Sequence, residues 1–352
     1  MAPYSNLTQR EMMSIIKENV RPLIVSVEYT NFGVLKDAVL PLGRFNVILG
    51  ANGTGKSTAL RGLYLLREPN LVNEVLFLEA DSSARLLVNF SEPLSDFVFG
   101  MDWVSGGLRG QGRFIEGQWQ NGGPGWDVAT KFMQGISLYR LQPEQIAGVA
   151  TVMAGAKLST VGHNLVSVLD RIRDEFPERF EAINRALPEW VPEFDKILFD
   201  SPGQGQKRVM LRLRGTKRSI PAPYLSDGTL LALALLTIAN APETPSILLI
   251  EEPDRGVHPR LLRLIADLLH RIAFPEPIIE DREPIQVVIT THSPYLLDCF
   301  SDHPEEVLVA QREGEAATFK KLSDMPKLRE ILGDAMLGEA WFTGVLGGVP
   351  SR

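Results

Sequence analysis

The stretch Phe45-Asn46-Val47-Ile48-Leu49-Gly50-Ala51-Asn52-Gly53-Thr54-Gly55-Lys56-Ser57 decides the fold. Its first five residues read as a buried strand, and residues 56 to about 67 read as a helix. Residues 50–57 are then a strand-to-helix turn that fits the G-x-x-x-x-G-K-[ST] phosphate loop in full. Glycines let backbone N–H groups close around phosphate oxygens, and the helix N-terminus adds partial positive charge. Lys56 suits the β- and γ-phosphates, and the Ser57 hydroxyl suits Mg²⁺. A glycine turn of no function is the plain alternative, and the flanking strand and helix weigh against it.

Two further strand ends belong with this loop. Ile247-Leu248-Leu249-Ile250-Glu251-Glu252-Pro253 closes an apolar strand on two carboxylates, and Val288-Ile289-Thr290-Thr291-His292-Ser293-Pro294 closes another on a histidine. Open α/β sheets bind ligands at the carboxyl ends of their strands, beside such a loop. Adjacent strand residues face opposite ways. Glu251 can therefore face the metal while Glu252 orients or deprotonates an attacking water. A neutral His292 can hydrogen-bond the γ-phosphate or that water. Alone, two acids would be a solvated strand end and one histidine a packed or surface residue; the phosphate loop turns both toward chemistry. Tyr224-Leu225-Ser226-Asp227-Gly228-Thr229 precedes a very apolar helix. Ser226 or Asp227 suits its N-cap, and the other use of that helix end is a second anion site aimed at another subunit's nucleotide.

Outward from these motifs, strand-like alternation covers 23–29, 34–40 and 45–49. Between 75 and 135, short strands crowded by glycine and interleaved with Trp103, Phe114, Trp119 and Trp126 predict an antiparallel β subdomain. Helical spacing from 158 to 194, divided at Pro177, predicts two helices of an inserted lobe, and 208–214 a strand. Buried strands alternating with helices mean an α/β fold with a mixed, largely parallel central sheet. The expected divisions are an N-terminal helix at 1–22, an N-terminal lobe with the phosphate loop and β subdomain at 23–150, a helical lobe with a basic hairpin at 151–222, and a C-terminal lobe at 223–352.

Composition narrows the classes. The 352 residues are 44% hydrophobic with a net charge of −7, ordinary for a globular chain and opposed to a general nucleic-acid or membrane coat. One cysteine, Cys299, excludes a disulfide framework, and the five histidines are scattered with no metal-ligand spacing. Residues 1–22 carry Arg10, Glu11, Lys17 and Glu18, so no signal-peptide core is expected there. The longest apolar stretch, 230–241, is shorter than the roughly 20 residues a bilayer needs. A soluble, cytoplasmic protein is the expectation.

The four motifs, in this order, resemble the ATP-binding-cassette ATPases of the RecF, SMC and OLD (overcoming lysogenization defect) group, over roughly residues 23 to 300. Asn31-Phe32-Gly33-Val34-Leu35-Lys36 resembles that group as well. The resemblance implies an ABC-ATPase head in which Asn52, Gly53, Thr54, Gly55, Lys56, Ser57 and Thr58 hold ATP and Ser57 and Glu251 hold Mg²⁺. It makes Glu252 and His292 catalytic, residues 254–258 the D-loop, and Ser226 and Gly228 the signature that meets the nucleotide of a second copy. Two ATPs would then be sandwiched in a head-to-tail homodimer.

Departures from the pattern carry meaning too. Leu225-Ser226-Asp227-Gly228-Thr229 lacks the double glycine of transporters, and Glu251 stands where aspartate is commoner. The glutamine loop is Gln142 or Gln145, after the expected strand 136–141, and Gln142 is taken as a further Mg²⁺ ligand. Too few residues separate the loop and signature for long SMC arms. Past His292 no glutamate followed by paired aspartates closes a strand, so a nuclease is expected on a separate polypeptide.

Lys207, Arg208, Arg212, Arg214, Lys217 and Arg218 form either the charged outer face of an edge hairpin or a phosphate-backbone track for DNA or RNA. The tail 337–350, with Trp341, Phe342, Val345 and Leu346, packs on the core or docks a partner. The expected function is an ATPase that dimerises on ATP and gates a DNA-directed process, anti-phage defence or repair, with a separate effector. The alternatives are a slowly hydrolysing scaffold that holds a toxin-like effector inactive and, less favoured by the signature, the ATPase subunit of a transporter.

Overall fold

The computed structural model describes residues 21–71, 83–104, 107–276, 283–314, 316–326, 328 and 336–347. The helix expected within 1–22 lies outside the described residues, as do 348–350 of the tail.

A run such as Ile247-Leu248-Leu249-Ile250 is stable as a strand only where both faces are covered. The central sheet meets that need. Its strand order is Ala316–Lys321, Val307–Glu313, Phe45–Leu49, Gln286–Thr291, Ile247–Glu251 and Ile136–Tyr139, and every neighbouring pair is parallel except the first. On one face Val47, Leu49, Ile250, Val287 and Ile289 share a core with helices Leu165–Glu175, Pro177–Trp190, Asp227–Ala239 and Pro259–Ala273. Helix Asp227–Ala239 is apolar all round and correspondingly buried. On the other face Ile48, Leu249, Val288 and Leu308 share a core with helix Lys56–Leu65 and a second sheet.

That second sheet is antiparallel, ordered Leu35–Pro41, Ile24–Phe32, Ala84–Phe90, Val98–Val104, Gly107–Ile115 and Gln118–Gln120. Its glycines serve packing: a Cβ at Gly100 would lie 2.5 Å from Trp119, whose ring sits 4.7 Å from that of Phe114. Helix Trp126–Gln134 follows it, where only strands were expected. Gln286, fully buried, joins the two sheets, donating to the carbonyls of Ile24 and Gly43 at 2.7 Å and accepting from the Ile24 N–H at 3.0 Å.

A third, small sheet holds Phe194–Gly203, Gln206–Leu213 and Ser219–Pro221, with Ala150–Thr151 beside the second strand. Here half of the basic stretch is paired. Lys207 meets Asp170 at 2.5 Å, Arg208 meets Asp200 at 2.6 Å, and Arg212 meets Asp195 at 2.7 Å. In the tail, helix Leu337–Phe342 buries Leu337, Ala340 and Trp341 in the main core and leaves Phe342 exposed. Among the described residues no helix is long and apolar enough to cross a membrane.

Candidate active site

Strand register sets the site. Leu49 pairs with Thr291, and Thr290 pairs with Glu251. The residues that follow, Gly50, His292 and Glu252, therefore emerge together at the carboxyl edge of three adjacent parallel strands. This is the edge at which such sheets bind ligands.

The loop 50–57 opens helix Lys56–Leu65 with Gly55 at the N-cap, at φ 92°, a conformation costly for any other residue. No side chain caps this helix and no acid stands in its first turn. Its leading N–H groups are thus left for an external anion. Thr54 Oγ1 donates to the Ala51 carbonyl at 2.9 Å, closing the loop. Lys56 is buried, and its ammonium donates to the carbonyls of Gly50 and Ala51 at 2.6 and 2.9 Å. Burial pushes its pKa below the ordinary lysine value, against the pull of Glu252, Glu251 and Asp254.

The two acids part as strand alternation predicts. Glu251 accepts from the Ser57 hydroxyl through one oxygen and from Arg140 through the other. Ser57 and Glu251 thereby bring two oxygen donors to one point at the loop mouth, the donor type Mg²⁺ takes. Glu252 turns away, at φ 48°, an uncommon conformation for a non-glycine residue. Its N–H is held by the Thr290 carbonyl at 3.1 Å and the Thr290 hydroxyl at 3.2 Å, and its carboxylate lies 3.1 Å from His292 Nδ1. Beneath them Asp254 is buried, with one oxygen accepting from the Thr291 hydroxyl at 2.9 Å and the other unpartnered. Burial pushes the Asp254 carboxyl above the usual aspartate range.

The remaining expected residues fall elsewhere. Ser226 is the N-cap of helix Asp227–Ala239, accepting from the Thr229 N–H at 3.2 Å, so the capping role is realised. Gly228 lies against the D-loop stretch, where an added Cβ would sit 3.7 Å from the Gly256 carbonyl. Gln142 is exposed, its N–H donates to the Val161 carbonyl at 3.1 Å, and among the described residues its side-chain amide has no hydrogen-bond partner. The strand before it delivers Arg140 to Glu251 instead. Arg140 was readable only through register: Tyr139 pairs with Ile250, which puts Arg140 level with Glu251. The histidines are scattered in sequence, yet in the fold His270 and His303 come within 5.4 Å, ring centroid to centroid. They lie far apart in the chain and meet only through the fold.

Residues 142–298 match the AAA_21 family, described as "AAA domain, putative AbiEii toxin, Type IV TA system". An OLD nuclease of Thermus scotoductus is 22% identical over 326 residues, 78% of this chain and 60% of that protein, so the chain spans little more than half the length of its relative. Among solved structures, an SMC head bound to the C-winged helix domain of ScpA superposes with a TM-score of 0.57 at 16% identity, covering 84% of this chain and 97% of that one. The SMC head domain of Pyrococcus yayanosii, with a coiled coil and joint, gives 0.51 at 11% identity, covering 91% and 100%. The chain thus has the fold of SMC heads, matches the AAA_21 family over residues 142–298, and is similar in sequence to an OLD nuclease.

Proposed function

We propose that this chain binds ATP with Mg²⁺, dimerises head to tail on it, and uses its hydrolysis to gate a DNA-directed process carried out with a separately encoded effector, a nuclease in anti-phage defence or repair. The observation that supports this best is the meeting of Lys56, Ser57, Glu251, Glu252 and His292 at one sheet edge. Lys56 exchanges its two carbonyl partners for the β- and γ-phosphates, and Asn52, Gly53, Thr54, Gly55 and Thr58 complete the cradle. Ser57 and Glu251 would hold Mg²⁺, which when bound neutralises charge on the phosphate oxygens. For that, Glu251 must release Arg140. Glu252 takes the proton of the attacking water, and His292 fixes the carboxylate that does so. Ser226 and Gly228 serve the ATP of the second copy. The DNA-directed role rests on the similarity to an OLD nuclease.

A second reading, a slowly hydrolysing scaffold that restrains a toxin-like effector, is favoured by the toxin-system description of the family matched over 142–298. The test is ATP hydrolysis per chain as protein concentration rises, with and without double-stranded DNA, and with Lys56→Ala beside it. Gating of a DNA process requires a rate that climbs with both variables. A slow rate indifferent to DNA favours the scaffold, and a Lys56→Ala chain that hydrolyses like wild type removes the nucleotide site altogether.

A further inference from the structure

Strand Ile136–Tyr139 ends level with Ile250, and the next residue, Arg140, reaches across to the carboxylate that closes the neighbouring strand. Glu251 is thereby engaged at both oxygens: the Ser57 hydroxyl donates to one and the Arg140 guanidinium to the other. Lys56, the cation that the loop itself supplies, feels Glu251, Glu252 and Asp254 but donates to the Gly50 and Ala51 carbonyls. Arg140 is therefore the cation that answers Glu251 directly.

The two partners are unequally held. The Glu251 side chain is 11% exposed at its strand end, whereas that of Arg140 is 53% exposed. The Arg140 backbone is anchored: its N–H donates to the Thr160 carbonyl at 2.7 Å, and two residues on the Gln142 N–H donates to the Val161 carbonyl at 3.1 Å. The long side chain can thus leave Glu251 without disturbing strand or loop. A half-exposed ion pair adds little to stability. Its place matters more, because a guanidinium and a divalent cation seek the same carboxylate oxygen.

We propose that Arg140 is a positioning residue that competes with Mg²⁺ for Glu251, so that Glu251 is released to the metal only as nucleotide phosphates arrive to accept the guanidinium. This rests on the reading that Ser57 and Glu251 hold Mg²⁺. A guanidinium suits the handover, since its fork of donors fits carboxylate and phosphate alike. Competition lowers metal affinity by the fraction of molecules left competent: an arginine seated on Glu251 in about four molecules of five weakens it about fivefold. By linkage, nucleotide and metal then strengthen each other's binding.

The experiment follows Mn²⁺, standing for Mg²⁺, on the full chain without nucleotide, through loss of the free-ion electron paramagnetic resonance signal. Arg140→Ala should bind Mn²⁺ at least about fivefold more tightly than wild type. Arg140→Lys, which keeps a cation there, should lose at least about half of that gain, and adding Ser57→Ala to Arg140→Ala should abolish it. A misfolded variant or a merely structural role weakens binding, so a gain is a readout that neither produces. A smaller gain in Arg140→Ala, an equal gain in Arg140→Lys, or a gain that survives Ser57→Ala would each overturn the competition. The underlying metal reading is tested separately by the Mg²⁺-dependent tightening of a fluorescent ATP analogue. If Glu251→Gln keeps that tightening, reading and proposal fall together; if Glu251→Gln loses it while Arg140→Ala binds Mn²⁺ like wild type, the competition alone falls.

Discussion

Glu252→Gln separates proton abstraction from everything else at the nucleotide edge. The backbone at this residue, at φ 48°, is held by Thr290 through the N–H alone, which the substitution leaves in place. A glutamine oxygen can still accept from His292 Nδ1, as the carboxylate does at 3.1 Å. Ser57, Glu251 and Arg140 form a separate cluster on the other side. What disappears is a negative proton acceptor, and the loss of a general base costs roughly 10²- to 10⁴-fold. At about 1.36 kcal/mol per tenfold, that adds about 2.7–5.4 kcal/mol to the barrier. His292→Ala leaves the base but frees its carboxylate, for which a loss of up to about 10²-fold is expected. The assay is single-turnover hydrolysis of labelled ATP with the chain in excess, alongside affinity for a fluorescent ATP analogue. Wild-type turnover in Glu252→Gln would refute the division of labour between the two acids. A collapse of affinity together with rate would refute the claim that only the proton acceptor was removed.

Asp254 and Gln286 give two tests of stability. Burial raises the folded-state carboxyl of Asp254 above its unfolded value, so the folded chain binds more protons from about pH 3.9 upward and stability falls as pH rises through that window. Asp254→Asn keeps an acceptor for Thr291 and should match wild type near about pH 4 yet exceed it near about pH 7 in urea unfolding; an equal difference at both would show that its ionisation costs nothing. Gln286→Leu orphans the Ile24 N–H and two carbonyls between the sheets. At about 1–3 kcal/mol per buried unsatisfied group, a loss of at least about 2 kcal/mol is expected, and a loss under about 0.5 kcal/mol would mean these bonds do not join the sheets.

The features legible in the sequence are those whose meaning is local. The loop 50–57, the acids closing Ile247–Glu251 and the histidine closing Gln286–Thr291 each carry their strand context with them, and sheet topology then aligns them at one edge. Arg140 is different: nothing near it in sequence marks it, and only the parallel register of Ile136–Tyr139 with Ile247–Glu251 delivers it to Glu251. Gln286 reads as the polar start of an apolar strand until its amide is seen spanning to Ile24. Strands Val307–Glu313 and Ala316–Lys321, which complete the central sheet, went unpredicted because mixed polar residues such as Gln311, Arg312, Lys320 and Lys321 blur their alternation.

The basic stretch shows the same limit in charge. Six cations in twelve residues suggest a strong field, yet the acids that answer three of them lie outside the stretch, in helix Leu165–Glu175 and strand Phe194–Gly203. Hydrogen bonding to Arg212 holds the Asp195 carboxyl below its ordinary range, so this pair stays ionised and mutually engaged at neutral pH. Binding to a phosphate backbone draws on cations free to replace counterions. Lys207, Arg208 and Arg212 would have to abandon their aspartates first, exposing negative charge beside the incoming strand. Arg214, Lys217 and Arg218, exposed around the turn at Gly215, have no ion pair among the described residues. Any DNA contact at this hairpin would therefore fall to its tip rather than its face, which makes the face a cross-strand brace for the helical lobe.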